Sequence, residues 1–227
     1  MKFLFVLLCN ILLFSNSNDF EKGELLYKQN KFQEAKVLFL NCIKSDPNNI
    51  KAIEYLGDIA GHQKNWDEAI SHYKILKEKY PSTANYWYKY GGALGMKAKS
   101  VNKFKALTMI DDVENAFLKA ATLDKKHIDA RWALVMLYIE LPGIVGGSEK
   151  KAQKYADELM ELSKVDGYLA KGYIDEYFNR FKKAEANYIK AHEIGNSKTT
   201  FQKLYNLYLN KIKDKAKAKK LKEQFEK

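Results

Sequence analysis

The sequence predicts an all-α solenoid of antiparallel helix pairs, and three observations predict it. Gly23, Gly57 and Gly91 stand 34 residues apart, as do Ala35 and Ala69, and Pro47 and Pro81. Within each unit the offsets agree as well, with 12 residues from Gly23 to Ala35 and 12 from Ala35 to Pro47. Only three prolines occur in 227 residues, and Lys, Leu, Ala and Glu abound, which favours helix over sheet. Self-similarity at this period marks stacked helix pairs, because one pair alone cannot bury its apolar face.

The second unit reads Ile53, Leu56, Gly57, Ala60, Ala69, Tyr73, Pro81, and the first supplies Gly23, Leu26, Ala35, Phe39 and Pro47. A fifth gives Tyr168, Gly172, Ala184, Tyr188 and Ala191, with Asn196 where the proline would stand. This resembles the tetratricopeptide repeat, with its W-x2-L-G-x2-Y, A-x3-F and P pattern. The resemblance implies a right-handed solenoid of about five to six repeats. Gly and Ala belong where two helices cross closely, and the aromatic one turn after the Ala fills the gap to the next pair. Pro, flanked by Asp and Asn, denies the second helix its next backbone donor and ends it.

In chain order, residues 1–17 read as a signal peptide and 18–227 as the solenoid. Met1-Lys2 is a short positive region, Phe3 to Phe14 is apolar but for Cys9 and Asn10, and Ser15 and Ser17 offer a cleavage site before Asn18. The apolar run of 12 residues is short against the roughly 20 of a spanning helix. The expectation is an exported bacterial protein, periplasmic or at the cell surface, in which Cys42 is the remaining cysteine and a small buried hydrophobe.

Repeats fall near 16–49, 50–83, 84–127, 128–164 and 165–198, with a Lys-rich cap at 199–227. The third and fourth carry insertions. After Trp87, Tyr90 and Gly91, the second helix of the third repeat arrives about ten residues late, with Val113, Phe117 and Ala120. The fourth has Trp132, Leu134 and Tyr138, then the turn Leu141-Pro142-Gly143-Ile144-Val145-Gly146-Gly147, then Ala152, Ala156 and Leu159. The segment Ala130-Arg131-x-x-Leu134, Tyr138, Pro142-Gly143-x-x-Gly146-Gly147 is similar to that of a group of exported bacterial tetratricopeptide proteins without established activity.

Composition excludes more than it assigns. The net charge of +11 is concentrated: Lys97 to Lys105 hold four Lys and no acid, and Lys211 to Lys227 hold eight Lys against three acids. Such runs are solvated faces or docking patches for a membrane surface or another polyanion. Nucleic acid is not expected as a partner, since no aromatics interleave the Lys runs. The four His, at 62, 72, 127 and 192, are scattered without metal-ligand spacing, so neither a metal nor a cofactor is expected. Asp111-Asp112 and Asp157-Glu158 are adjacent on a helix and do not face one another. No catalytic constellation is present, and the chain reads as a non-enzyme.

Two candidate sites remain. Gly147 and Ser148 open a helix with Lys150 and Lys151 in its first turn, which is either an anion site or a glycine turn with a Ser N-cap. The second site follows from the resemblance. In tetratricopeptide arrays certain positions of each first helix face a concave groove, and here they are Tyr27 and Lys28; Glu54, Asp58 and His62; Asn85, Tyr88, Gly92 and Met96; Trp132, Met136, Ile139 and Glu140; Leu169, Tyr173, Glu176 and Tyr177; and Lys203 and Leu207. Their spacing of three and four puts each set on one helical stripe. The strip is aromatic and Met-rich, which fits recognition of a peptide or protein segment. The alternative is a carrier that encloses a small apolar ligand among Trp132, Met136 and Ile139. The basic clamp of chaperone-tail binders is missing, since Phe20, Glu24, Glu54 and Asp58 stand in its place. The sequence leaves the oligomeric state unassigned.

Overall fold

The computed structural model describes residues 18–225, so the expected signal segment 1–17 lies outside the described residues. All regular structure among them is helical. The chain divides into two units, one through Ala116 and one from Phe117.

In the first unit α1 (18–28) pairs with α2 (Phe32–Ser45), and α3 (Ile50–His62) with α4 (Trp66–Lys79), before α5 (Ala84–Ser100). The helix ends follow local chemistry. α2 stops at Ser45 ahead of Asp46 and Pro47, and the Asn49 side chain then accepts the Ala52 N–H at 3.0 Å to cap α3. The turns inside the two pairs reverse through Asn30 and Lys64, at φ of 60° and 58° and 34 residues apart. The delay in the third repeat takes the form of a short helix, α6 (Lys103–Leu107), before α7 (Ile110–Leu123), within which the unit boundary falls.

Side-chain bonds 30 or so residues apart link first helices to first helices (Tyr55 to Glu24, Lys89 to Glu54) and second to second (Lys36 to Glu68). The unit is thus two layers, α1–α3–α5 and α2–α4. Between them Ala35, Phe39, Cys42, Leu56, Ile59, Ala69, Tyr73 and Leu76 form the core. Cys42 is buried there as a small hydrophobe.

The second unit repeats the scheme with α8 (Ile128–Glu140), α10 (Lys164–Tyr177) and α12 (Lys198–Asn206) against α9 (Glu149–Leu162), α11 (Phe181–Gly195) and α13 (Lys215–Phe225). Asn196, at φ 33°, ends α11 in the left-handed region where the earlier repeats use proline. A π-helical turn, Leu207–Ile212, follows α12. The glycine-rich turn after α8 contains a 3-10 turn, Gly143–Val145. The Ser148 N–H then donates to the Tyr138 carbonyl at 2.8 Å and the Gly147 N–H to that of Pro142 at 3.1 Å. A Cβ at Gly147 would overlap the Leu141 carbonyl, so only glycine fits there.

Candidate functional site

The first, second and fifth repeats place a glycine under an aromatic edge 16 residues later: Gly23 under Phe39, Gly57 under Tyr73, Gly172 under Tyr188. The missing side chain lets the ring of the second helix lie against the backbone of the first. Where the ring belongs to Tyr, its hydroxyl reaches through to the first-helix layer and meets a carboxylate. Tyr73 donates to Asp58 at 2.5 Å, and Tyr188 to Glu176 at 2.9 Å. Burial, and then the facing carboxylate, pushes both phenols far above their ordinary range, so they remain donors.

On the first unit, Lys89 of α5 lies between both acids of α3, 2.7 Å from Glu54 and 2.7 and 2.8 Å from the two Asp58 oxygens. Burial pulls the Lys89 ammonium down, but Asp58 and Glu54 outweigh it and hold the group above the usual lysine range. Two carboxylates thus share one cation. Tyr55 donates to a third acid, Glu24, at 2.9 Å, and burial followed by that carboxylate pushes its phenol to about 12. Tyr27 lies 3.2 Å from His62, whose ring stacks on Phe32 at 4.5 Å. Tyr27, Asp58, Gly61, His62 and Tyr73 line an open hollow of about 390 Å³. Lys28 and Met96 are exposed, and Tyr88 is half-buried on α5.

On the second unit, Trp132 donates to Asp166 at 2.8 Å and Tyr173 to Glu140 at 3.1 Å, while Lys203 lies 5.6 Å from the Tyr173 ring centre. Met136 and Tyr177 keep 40% and 48% of their surface in solvent, so aromatic and thioether surface borders the acid-bound tyrosines. Ile139, Leu169 and Leu207, which the helical stripe placed on the groove, are instead buried in the core. They sit at the edge of the stripe, where a slight rotation of the helix turns an apolar side chain inward. Ile139 is therefore not an exposed lining group for a small ligand.

Sequence reasoning missed Lys89, Tyr55 and the hydroxyl ends of Tyr73 and Tyr188. The two tyrosines are legible as packing aromatics, but the path of their hydroxyls depends on how closely the helices cross. Lys89 lies off the stripe and reaches it through its long stem.

At the start of α9, the Ser148 side chain accepts the Lys151 N–H at 3.2 Å, and the N–H groups of Gly147 and Ser148 are used inside the turn. The Lys151 ammonium stands 4.7 Å from the Tyr138 ring centre, while Lys150 is exposed. The glycine turn and the Ser148 cap are thus both formed. Among the described residues no three His, Cys, Asp or Glu converge as a metal site, and no helix is long and apolar enough to cross a membrane.

The family model for the tetratricopeptide repeat matches residues 51–83. No curated protein matches the chain in sequence. Among solved structures, the chain is similar to a thermophilic tetratricopeptide protein of Thermus thermophilus, at 16% identity over 86% of this chain and 99% of that one, with a TM-score of 0.68. It is similar also to a tetratricopeptide repeat protein from Parabacteroides merdae, at 15% identity over 92% and 78%, with a TM-score of 0.65. YrrB, described as a tetratricopeptide protein with an unusual peptide-binding site, matches at 15% identity over 80% and 87%, with a TM-score of 0.54. Residues 51–83 thus carry a tetratricopeptide repeat, and the chain has the fold of the tetratricopeptide-repeat solenoids to which it is similar.

Proposed function

We propose that the chain is an exported, non-enzymatic scaffold that binds an extended segment of a partner protein on its first-helix faces, and that the segment carries basic side chains. The observation behind this reading is the chemistry of those faces. On a chain of net charge +11, they carry Glu54 and Asp58 around one Lys and Glu24 bound by Tyr55 in the first unit, and Glu140 and Glu176, each bound by a Tyr, on the helices that bear Met136 and Tyr177 in the second. Apolar side chains left in solvent beside oriented acids suit a peptide that offers both an apolar anchor and an ammonium or guanidinium group. The peptide-binding site named for YrrB supports the class of partner, and the apolar run 3–14 followed by small residues supports export.

Selection from a random peptide library tests the reading. Peptides rich in Lys or Arg with an aromatic or aliphatic anchor are expected. A Met136→Ser, Tyr177→Ser variant, folded by circular dichroism, is expected to bind those that use the second unit about tenfold or more weaker. For those that use the first unit, Asp58→Asn is expected to weaken binding. Acidic consensus peptides, or binding indifferent to all these changes, would refute it.

A further inference from the structure

The insertion between α5 and α7 belongs to neither helix layer, and its tip has a chemistry of its own. Phe104, on α6, exposes 86% of its surface, and Leu107, three residues on and therefore on the same helical side, exposes 47%. Lys103 and Lys105 flank the phenylalanine and are exposed, as is Lys99, and no acid occurs from Lys97 to Ile110. The tip is held in shape. Asn102 caps α6 by accepting the Lys105 N–H at 3.0 Å, and the Thr108 hydroxyl donates to the Lys105 carbonyl at 2.8 Å. At the base Lys97 is tied to Asp67 and the Ser100 hydroxyl donates to the Lys97 carbonyl at 2.8 Å. Local bonds thus hold an aromatic side chain out in water between two ammonium groups.

From this arrangement we infer that α6 is a docking element for an anionic phospholipid surface, a role separate from peptide binding on the first-helix faces. The phenyl ring enters below the headgroups, and the flexible stems of Lys103 and Lys105 carry their charges to the phosphate level. Charge complementarity favours lipid, since the tip is purely cationic around its apolar point. Its projecting form also needs no preformed pocket in the other party. A contact of this size is weak and reversible, so the element orients a protein at a membrane and does not anchor it.

The test uses the full chain with vesicles of phosphatidylcholine alone and of equal parts phosphatidylcholine and phosphatidylglycerol. Neutral vesicles report whatever the apolar run 3–14 contributes, the increment on anionic vesicles reports the Lys-rich segments together, and the part of it that the α6 substitutions remove reports α6. Phe104→Ala, and separately Lys103→Gln with Lys105→Gln, are each expected to cut that increment several-fold, with melting temperature unchanged. Salt is expected to abolish it. Phe104→Trp supplies a local readout above the three native Trp: its added emission is expected to shift to the blue on anionic vesicles and to be quenched by brominated lipid. The proposal is overturned by equal binding to both vesicles, by partition that ignores these substitutions, or by an added indole emission that anionic vesicles leave unshifted.

Discussion

A glycine inside a helix ordinarily costs about 1 kcal/mol relative to alanine, so its value there rests on what a methyl group would strike. A Cβ at Gly57 would stand 2.6 Å from the Tyr73 ring, and one at Gly172 closer still to Tyr188, while at Gly92 nothing lies within 4 Å. Gly57→Ala and Gly172→Ala are therefore expected to destabilise by about 1–3 kcal/mol through overpacking. Gly92→Ala is expected to stabilise by up to about 1 kcal/mol, since it only restricts the unfolded chain. Urea denaturation of the three variants checks this, and a common sign would contradict it. The clash partners of Gly57 and Gly172 were legible in the sequence, because the offset of 16 to an aromatic recurs. The open space at Gly92 was not, since Gly91-Gly92-x-x-Gly95 reads as one close-packed patch, whereas Gly91 is buried, Gly95 meets Val113 and Gly92 meets nothing. Arg131 shows the same limit. As a letter in a motif it has no evident role, but in the fold its buried guanidinium donates to Glu158 at 2.9 Å and to the His127 carbonyl at 3.0 Å, tying α8 to α9.

Between elements, tyrosine–carboxylate pairs recur: Tyr55 with Glu24 joins α3 to α1, Tyr73 with Asp58 joins α4 to α3, Tyr173 with Glu140 joins α10 to α8, and Tyr188 with Glu176 joins α11 to α10. All four phenols are raised above the ordinary 10.0, first by burial and then by the facing acid, with Tyr55 at about 12. A group raised in the fold favours the neutral form there, so its contribution is fully present below pH 10. It is lost as pH rises from 10 through the folded value, while the unfolded chain ionises first. Lys89, also raised in the fold, acts in the same direction. Stability is thus expected to be insensitive to these groups at neutral pH and to fall above pH 10. Tyrosinate absorbance followed together with helical circular dichroism checks this, and the late-ionising phenols are expected to titrate only as helix is lost. Titration of all 15 tyrosines near pH 10 with the helix intact would contradict it. Helix boundaries themselves were legible from Pro47, Pro81, Ser148 and Asn196. α6 was not, because its five residues carry no period and its cap, Asn102, resembles any loop asparagine.

For the molecule as a whole, the period of 34 residues is enough to fix the repeat, because each unit solves the same packing problem with the same small and aromatic residues. Which side chains face solvent follows less surely: counting along a stripe places Met136 and Tyr177 outside but also Ile139 and Leu169, which the core takes. The net charge and its concentration in two Lys-rich runs were legible too, but not the ion pairing of the acids with Lys89. Lysines dominate the α6 tip and the C-terminal segment, while three acids share the first-helix face of the first unit with Lys89. That face chemistry underlies the central claim that a partner segment lies on the first helices. Methionine methyl resonances test it most directly, since Met96 and Met136 sit on those faces, Met109 follows α6, and Met160 on α9 packs beside Gly167. On titration with a library-selected basic peptide, the account predicts that Met96 or Met136 shifts while Met109 and Met160 stay in place. Shifts confined to Met109 or Met160 would contradict it.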